Sequence, residues 1–349
     1  MSCSGASSRV RATCTLSAET FCHIAAQFER SVRRDVCALR SFLVWPAIRI
    51  SRPRKRRLNS AIWRQERAST LVTFSCDCVE IERFDFQGAR GYYLACTLSI
   101  DECCFYTIRT DHHCIEVYDA SSGAYRRSFG SWYGQSFVYF NYPSSVYVSD
   151  ANELYVCDSG NNRVQVLDAV TGALIRVIGT GERGERGRLN GPIDVAVSRE
   201  RVYVCDPNNS GVRVFRESDG VYLFSFGKDD CKLVRSIAVS TVSGNVYAAD
   251  CFNANNCLKT RVQVFDADGK FLRVVPIPRH VHASEVFVSM HDELYVTDKN
   301  NSSILVFGSS GAFSLTHLRT IDGVRPSGLA FARDGRLFAT CYEGVRVFE

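Results

Sequence analysis

Sixteen cysteines and seven histidines in 349 residues raise the question of metal chemistry first. Cys103, Cys104, His112, His113 and Cys114 stand close together in the chain and offer the donor types that zinc takes. No CxxC pair occurs anywhere, and that spacing is what lets two thiolates of one tight turn reach one ion. The cysteines are therefore read as buried strand residues beside a polar loop. "HVH" at His280 and His282 would project both rings to one side of a strand, but two ligands leave a site incomplete, and His291 falls in a separate turn. No Ser, His and Asp constellation suggests a nucleophile and its base. The expectation is a chain with no metal, no cofactor and no enzymatic activity.

The elements that carry these residues are strands. "ELYVCDSGNNRVQVLDAVTGALIRVIG" (153–179) alternates apolar and polar residues at period two, interrupted by Asn and Gly. The pattern recurs as "RVYVCDPNNSGVRVFRESDGVYLFSFG" (201–227), "NVYAADCFNANNCLKTRVQVFDADGKFLRVV" (245–275) and "ELYVTDKNNSSILVFGSSGAF" (293–313). Weaker copies flank these at 104–130 and 336–349, and an apolar segment precedes each unit, as in "IDVAVS" and "RSIAVS". That gives four strands per unit. The residue ending the second strand is Arg109, Asp158, Asp206, Asp250, Asp298 and Cys341 in turn, at intervals of 43 to 49 positions. Six such units predict an all-β, six-bladed β-propeller, because one small sheet cannot bury both its faces whereas radial packing buries each against its neighbours.

These residues resemble the NHL repeat, most closely at "LYVCDSGNNRVQVLD" and the linker "GTGERGERGRLNGPIDVAV". The resemblance covers about 93–349 and implies that Asp158 bridges to Arg163 and Asp250 to Arg261 across the loop. Read as solvent-exposed pairs, these contribute only about 0–1 kcal/mol each. Gly211 and Ser303 replace the Arg in two copies, and Arg109 and Cys341 replace the Asp in two others. On such a propeller Asp194 and Glu285 are the acids placed at the axis. They would be the starting point of a metal-dependent hydrolase or lyase, the third functional reading.

Charge divides the chain. Residues 1–68 carry a formal charge of about +10 and the remainder about −5. The first segment is expected to be a basic leader, helical over parts of 17–43 or disordered, with "RPRKRRLNSAIWRQER" (52–67) as its strongest run. No apolar run is long enough to cross a membrane, and no secretory signal is visible. The expected location is cytoplasmic or nuclear. The propeller is assigned 69–349. Its last unit stops after its third strand at Glu349, so a stretch of "STLVTFSCDCVEIERF" (69–84) is expected to supply the missing outer strand and close a monomeric ring.

The loops between second and third strands and the linkers between blades should share one face. That face gathers Trp132, Tyr133, Arg163, Arg183, Arg186, Arg188, Asn209, Asn255 and Lys299, which are the candidate partner-binding residues. Aromatics beside arginines suit a protein or peptide partner, the first expectation. The alternative is single-stranded RNA, to which the resemblance adds the role of substrate-recognition module in a ubiquitin ligase. The chain lacks RING and B-box spacing, and the acidic balance of the propeller opposes a general nucleic-acid surface.

Overall fold

The structure is a computed structural model. It describes residues 93–349 apart from 131–133, 135–137, 182–185, 210, 228–230, 232, 255–256, 279, 310–314, 342–343 and 349, together with the strands at 14–16, 72–74 and 80–84. Contacts divide the chain into residues 11–77 and a second unit that contains the propeller from 78 onward. In the first unit, Cys14–Leu16 pairs antiparallel with Val72–Phe74. The helices expected in the leader lie outside the described residues. Among the described residues no helix is long and apolar enough to cross a membrane.

The second unit is a six-bladed propeller of four-stranded antiparallel sheets. The first strands of the blades run Tyr93–Leu98, Pro143–Val148, Asp194–Ser198, Val234–Val239, Ala283–Val288 and Gly328–Phe331, and they pack side by side around the axis. The second, third and fourth strands of each blade follow outward in chain order. The sixth blade takes Leu337–Cys341 and Gly344–Phe348 from the end of the chain and its outermost strand from Glu80–Phe84. Val345 pairs with Phe84, Arg346 with Arg83 and Val347 with Glu82, so the two ends of the propeller share one sheet. Val72–Phe74, also inside the stretch expected to close the ring, pairs with the leader instead.

The alternation in the second strands explains why a ring forms. In Glu153–Asp158, Leu154 and Val156 bury toward the first blade, whereas Tyr155 and Cys157 bury toward the third. Successive side chains of a strand point to opposite faces, so a strand apolar at every position needs a neighbouring sheet on each side. Val202 and Val204 against Tyr203 and Cys205 repeat the arrangement one blade further on. The core accordingly consists of six apolar seams, one between each pair of adjacent blades, including the seam between the sixth and the first.

The glycine turns between third and fourth strands add to these seams. Gly172 has φ +73, and a Cβ there would stand 2.4 Å from the ring of Phe129, the last residue of the preceding blade's outer strand. Gly269 meets Phe226 in the same way at 2.6 Å. The turn glycine thus serves both a left-handed backbone and a close inter-blade approach. In the fourth blade the sequence reading needs correction. The stretch around Asn255, placed in a loop of the binding face, is mostly strand: Val246–Ala254 and Cys257–Phe265 continue the ladder past Asp250 to the pair Ala254 and Cys257.

Candidate functional site: the loop face and the central channel

In the second to fifth blades the loop between second and third strands is organised by the acid that ends the second strand. Asp158 is fully buried. Its Oδ2 accepts Arg163 Nε at 2.7 Å and Gln165 Nε2 at 3.1 Å, Asn161 Nδ2 donates to both oxygens, and the Asn141 N–H donates to Oδ1 at 2.7 Å. The Asp158–Arg163 pair is therefore not the solvent-exposed bridge expected from sequence. Its side chains are 0% and 8% exposed, and burial raises the cost of breaking the pair well above that of a surface pair.

Other blades repeat the device with substitutions. Asp206 accepts Asn209 Nδ2 at 2.6 Å and, in place of the arginine missing at Gly211, Arg213 Nε at 2.9 Å. Arg213 stands at the register position of Gln165, since they pair with Val204 and Val156 respectively. Burial pushes the Asp206 carboxyl up, with its hydrogen bonds and Arg213 opposing. Asp250 accepts Arg261 Nε at 3.0 Å and the Leu233 N–H at 2.8 Å, and Asp298 accepts Asn301 Nδ2 at 2.6 Å. The first blade reverses the charges: Arg109 occupies the acid's position and bonds Glu116 Oε1 at 3.2 Å.

The asparagine pair divides its work. Asn161, Asn209 and Asn301 turn inward to the acid, while Asn162 takes the left-handed conformation at φ 56 and accepts the Gly191 N–H on the next linker. The inward asparagines also reach the linker leading into their own blade: Asn161 Nδ2 donates to Gly134 O, Asn209 Nδ2 to Arg188 O and Asn301 Nδ2 to His280 O. The repeat residues thus lock loops to linkers, whose side chains are buried in the seams, as Phe140 and Leu189 are, or face outward.

The consequence is clearest at 138–142. The Val138 N–H donates to Gln165 Oε1, and the Tyr139 carbonyl accepts Arg163 Nη2 and Gln165 Nε2. The Tyr142 N–H donates to His113 Nδ1 at 2.9 Å, and the His113 and Tyr142 rings meet edge-on at 4.7 Å. Val138 and Tyr142 hold φ of 69 and 49. A β-branched residue at positive φ is strained and persists only where its surroundings enforce it. Phe140 is fully buried in the first seam, whereas Tyr139 and Tyr142 are 43% and 58% exposed.

Of the candidate partner-binding residues, Arg186 and Lys299 are exposed on this face and Arg188 is half-buried. Arg163 and Asn209 are committed to the inward networks, which removes Arg163 from the outward-facing set. Trp132, Tyr133, Arg183 and Asn255 lie outside the described residues. Tyr142 was missed by sequence reasoning; its place in "FVYFNYP" is a signal only once the linker's backbone bonds are known.

The channel carries the second arrangement. Where the first strands begin, Ser145, Asp194, Ser236 and Glu285 stand at equivalent positions of four successive blades, each just before the residue paired mid-strand. They tie blade to blade. Ser145 Oγ donates to Asp194 Oδ1 at 2.6 Å, the Ile237 N–H donates to Asp194 Oδ2 at 2.8 Å, and the Val286 N–H donates to Ser236 Oγ at 3.1 Å. Burial raises the Asp194 carboxyl against these bonds, and burial with the nearby Asp194 charge holds Glu285 well above the ordinary carboxylate range. A cavity of about 630 Å³ extends from this ring to the hairpins between first and second strands, on the side opposite the loop face. The histidines do not converge there: His280 and His282 lie on a linker of the loop face and His291 at the cavity's hairpin mouth. Among the described residues no group of three or more His, Cys, Asp and Glu is placed to hold a metal ion.

The NHL repeat profile matches residues 140–167, which run from the end of the linker through the first, second and third strands of the second blade. A stretch of 83 residues, 22% of this chain, is 31% identical to Protein SUPPRESSOR OF QUENCHING 1, chloroplastic, of Arabidopsis thaliana, and covers 8% of that protein. The chain therefore spans less than a tenth of the length of that relative. Among solved structures, a gluconolactonase from Xanthomonas campestris superposes with TM-score 0.58 at 14% identity, over 74% of this chain and 86% of that one. A streptogramin B lyase does so with TM-score 0.53 at 11% identity, over 77% and 96%. At such identities the likeness is one of fold. The chain is a six-bladed propeller whose second blade matches the NHL repeat.

Proposed function

We propose that the protein is a non-catalytic binding scaffold whose loop face recognises a protein or peptide, with the linker at 138–142 as its anchor. The observation that carries this reading is the contrast within that linker. Its backbone is held by Gln165, Arg163, Asp158 and His113, two residues are kept at positive φ, and yet the rings of Tyr139 and Tyr142 are turned outward. Exposed tyrosines on a rigid backbone provide contact area at low entropic cost. The channel acid Asp194, by contrast, has both oxygens engaged by donors from neighbouring blades, which favours a structural role over a catalytic one.

The test is selection of random displayed peptides on the full chain, followed by affinity measurements on Tyr139→Ala and Tyr142→Ala. Losing either ring should cost on the order of 2 kcal/mol in binding with little change in salt response. If Arg186→Ala and Lys299→Ala instead weaken binding to a single-stranded RNA library, each with a salt slope flattened by about 0.7, the ligand is RNA. Unchanged affinity in all four variants would move the partner off this face.

A further inference from the structure

The central cavity is separate from the loop face and has a chemistry of its own. Five carboxyl groups line it, from Glu102, Asp150, Asp194, Glu285 and Glu293, against two guanidinium groups, from Arg319 and Arg333. The arginines belong to the mouth, where Arg319 approaches Glu293 at 3.8 Å and the Arg333 backbone N–H bonds Glu102. At the inner end Asp194 is saturated by neighbouring donors, but Glu285 is not: the Leu329 backbone N–H donates to its carboxyl, while its Oε2 has no hydrogen-bond partner. Buried polar atoms nearly always have a partner, so this one marks a place where a donor is missing. The walls between ring and mouth are mixed: Thr97, Ser99, Ser149 and Ser289 line them beside Phe287 and Phe331, whose rings stack at 4.8 Å.

We propose that the channel is a binding pocket for a small organic ammonium, its charged head donating to Glu285 and its apolar body lying against the channel walls. A volume of about 630 Å³ is within the range of small-molecule sites, roughly 300–1,000 Å³. The excess of carboxyl groups favours a cation over an anion, and the stacked rings of Phe287 and Phe331, with no group of three metal ligands among the described residues, favour an amine with a hydrocarbon body over a hydrated metal ion. The charges that act on Glu285 are Asp194, which opposes its ionisation, and Lys299 on the loop above, which favours it; the Cys96 thiol also lies within reach of its field. An arriving ammonium adds a second favourable charge, which shifts the Glu285 carboxyl towards its ionised form, the displaced proton passing to solvent.

Isothermal titration of the full chain with benzylamine, benzyl alcohol and benzoate tests this. Benzylamine should bind at least about tenfold more tightly than the alcohol, a difference of about 1.4 kcal/mol, with benzoate weakest. Glu285→Gln should bring benzylamine down to the affinity of the alcohol and leave the alcohol unchanged. In the wild-type chain the heat of benzylamine binding should vary with the buffer's ionisation enthalpy in the sense of proton release, a measurement that decides the matter even if the variant fails to fold. Equal affinity for the three probes, benzylamine binding that is indifferent to Glu285→Gln or to buffer, or no binding by any probe would overturn the proposal.

Discussion

Breaking the Asp158–Arg163 pair should reveal what a buried repeat motif is worth. Asp158 accepts donors from Arg163, Asn161, Gln165 and the Asn141 backbone, with no exposure of its own. Arg163→Met leaves a buried carboxylate with neutral donors only, and Asp158→Ala leaves a buried guanidinium together with three stranded amide donors. Each should destabilise the fold by about 3–5 kcal/mol, the range for breaking a buried pair from one side. The double variant removes both charges, so its cost should fall short of the sum by about 2–3 kcal/mol, the coupling of residues in one network. An exposed pair would give about 0–1 kcal/mol and little coupling. Equilibrium urea unfolding of the four chains measures all three numbers, and an unchanged m-value certifies that the same transition is being compared. Single costs below about 1 kcal/mol with no coupling would refute the reasoning, and with it the claim that the motif holds the loop face rigid.

Ring closure should depend on residues 80–84: removing residues 1–77 should leave cooperative unfolding intact, and removing 1–88 should abolish it by exposing the edge of Gly344–Phe348, as read by calorimetry and light scattering. The pH dependence should carry two opposite signatures. Arg176 donates to both Glu153 oxygens and holds that carboxyl below its ordinary value. Its contribution is therefore present above the ordinary carboxylate range and lost as pH falls through the lowered value, and Glu153→Gln should remove that part of the acid slope. Glu285 is shifted upward, so it favours the fold at low pH and opposes it increasingly as pH rises from the unfolded value towards the raised one. Glu285→Gln should flatten that decline, and an unchanged slope in chemical denaturation across this window would contradict its burial in the neutral form.

Much of this architecture is legible in the order of residues, because a blade is a local object. The period-two alternation, the turn glycines and the acid that closes the second strand in four of the units lie within fewer than fifty residues of one another, and six such units leave a ring as the way to bury both faces of every sheet. The direction in which the motif residues point is a different matter. "DSGNNR" reads equally well as an exposed polar loop, and only the linker folding back over it, with its carbonyls and N–H groups needing partners, turns Asp158, Asn161 and Arg163 inward and Tyr139 and Tyr142 outward. Arg213 replacing the arginine absent at Gly211, and Glu116 answering Arg109, depend on cross-strand register, which two residues of offset do not disclose.

Asp194 and Glu285 stand ninety-one positions apart in the chain, and they act on one another because closing the ring brings their strands to one axis. The same closure decides which part of 69–84 becomes the outer strand of the last blade. Local patterning determined the strands, the turns and their number. Desolvation, backbone hydrogen-bond satisfaction and the geometry of closure, which act only between segments distant in sequence, decided which polar residues became scaffold, which remained surface and where the channel carboxyls met.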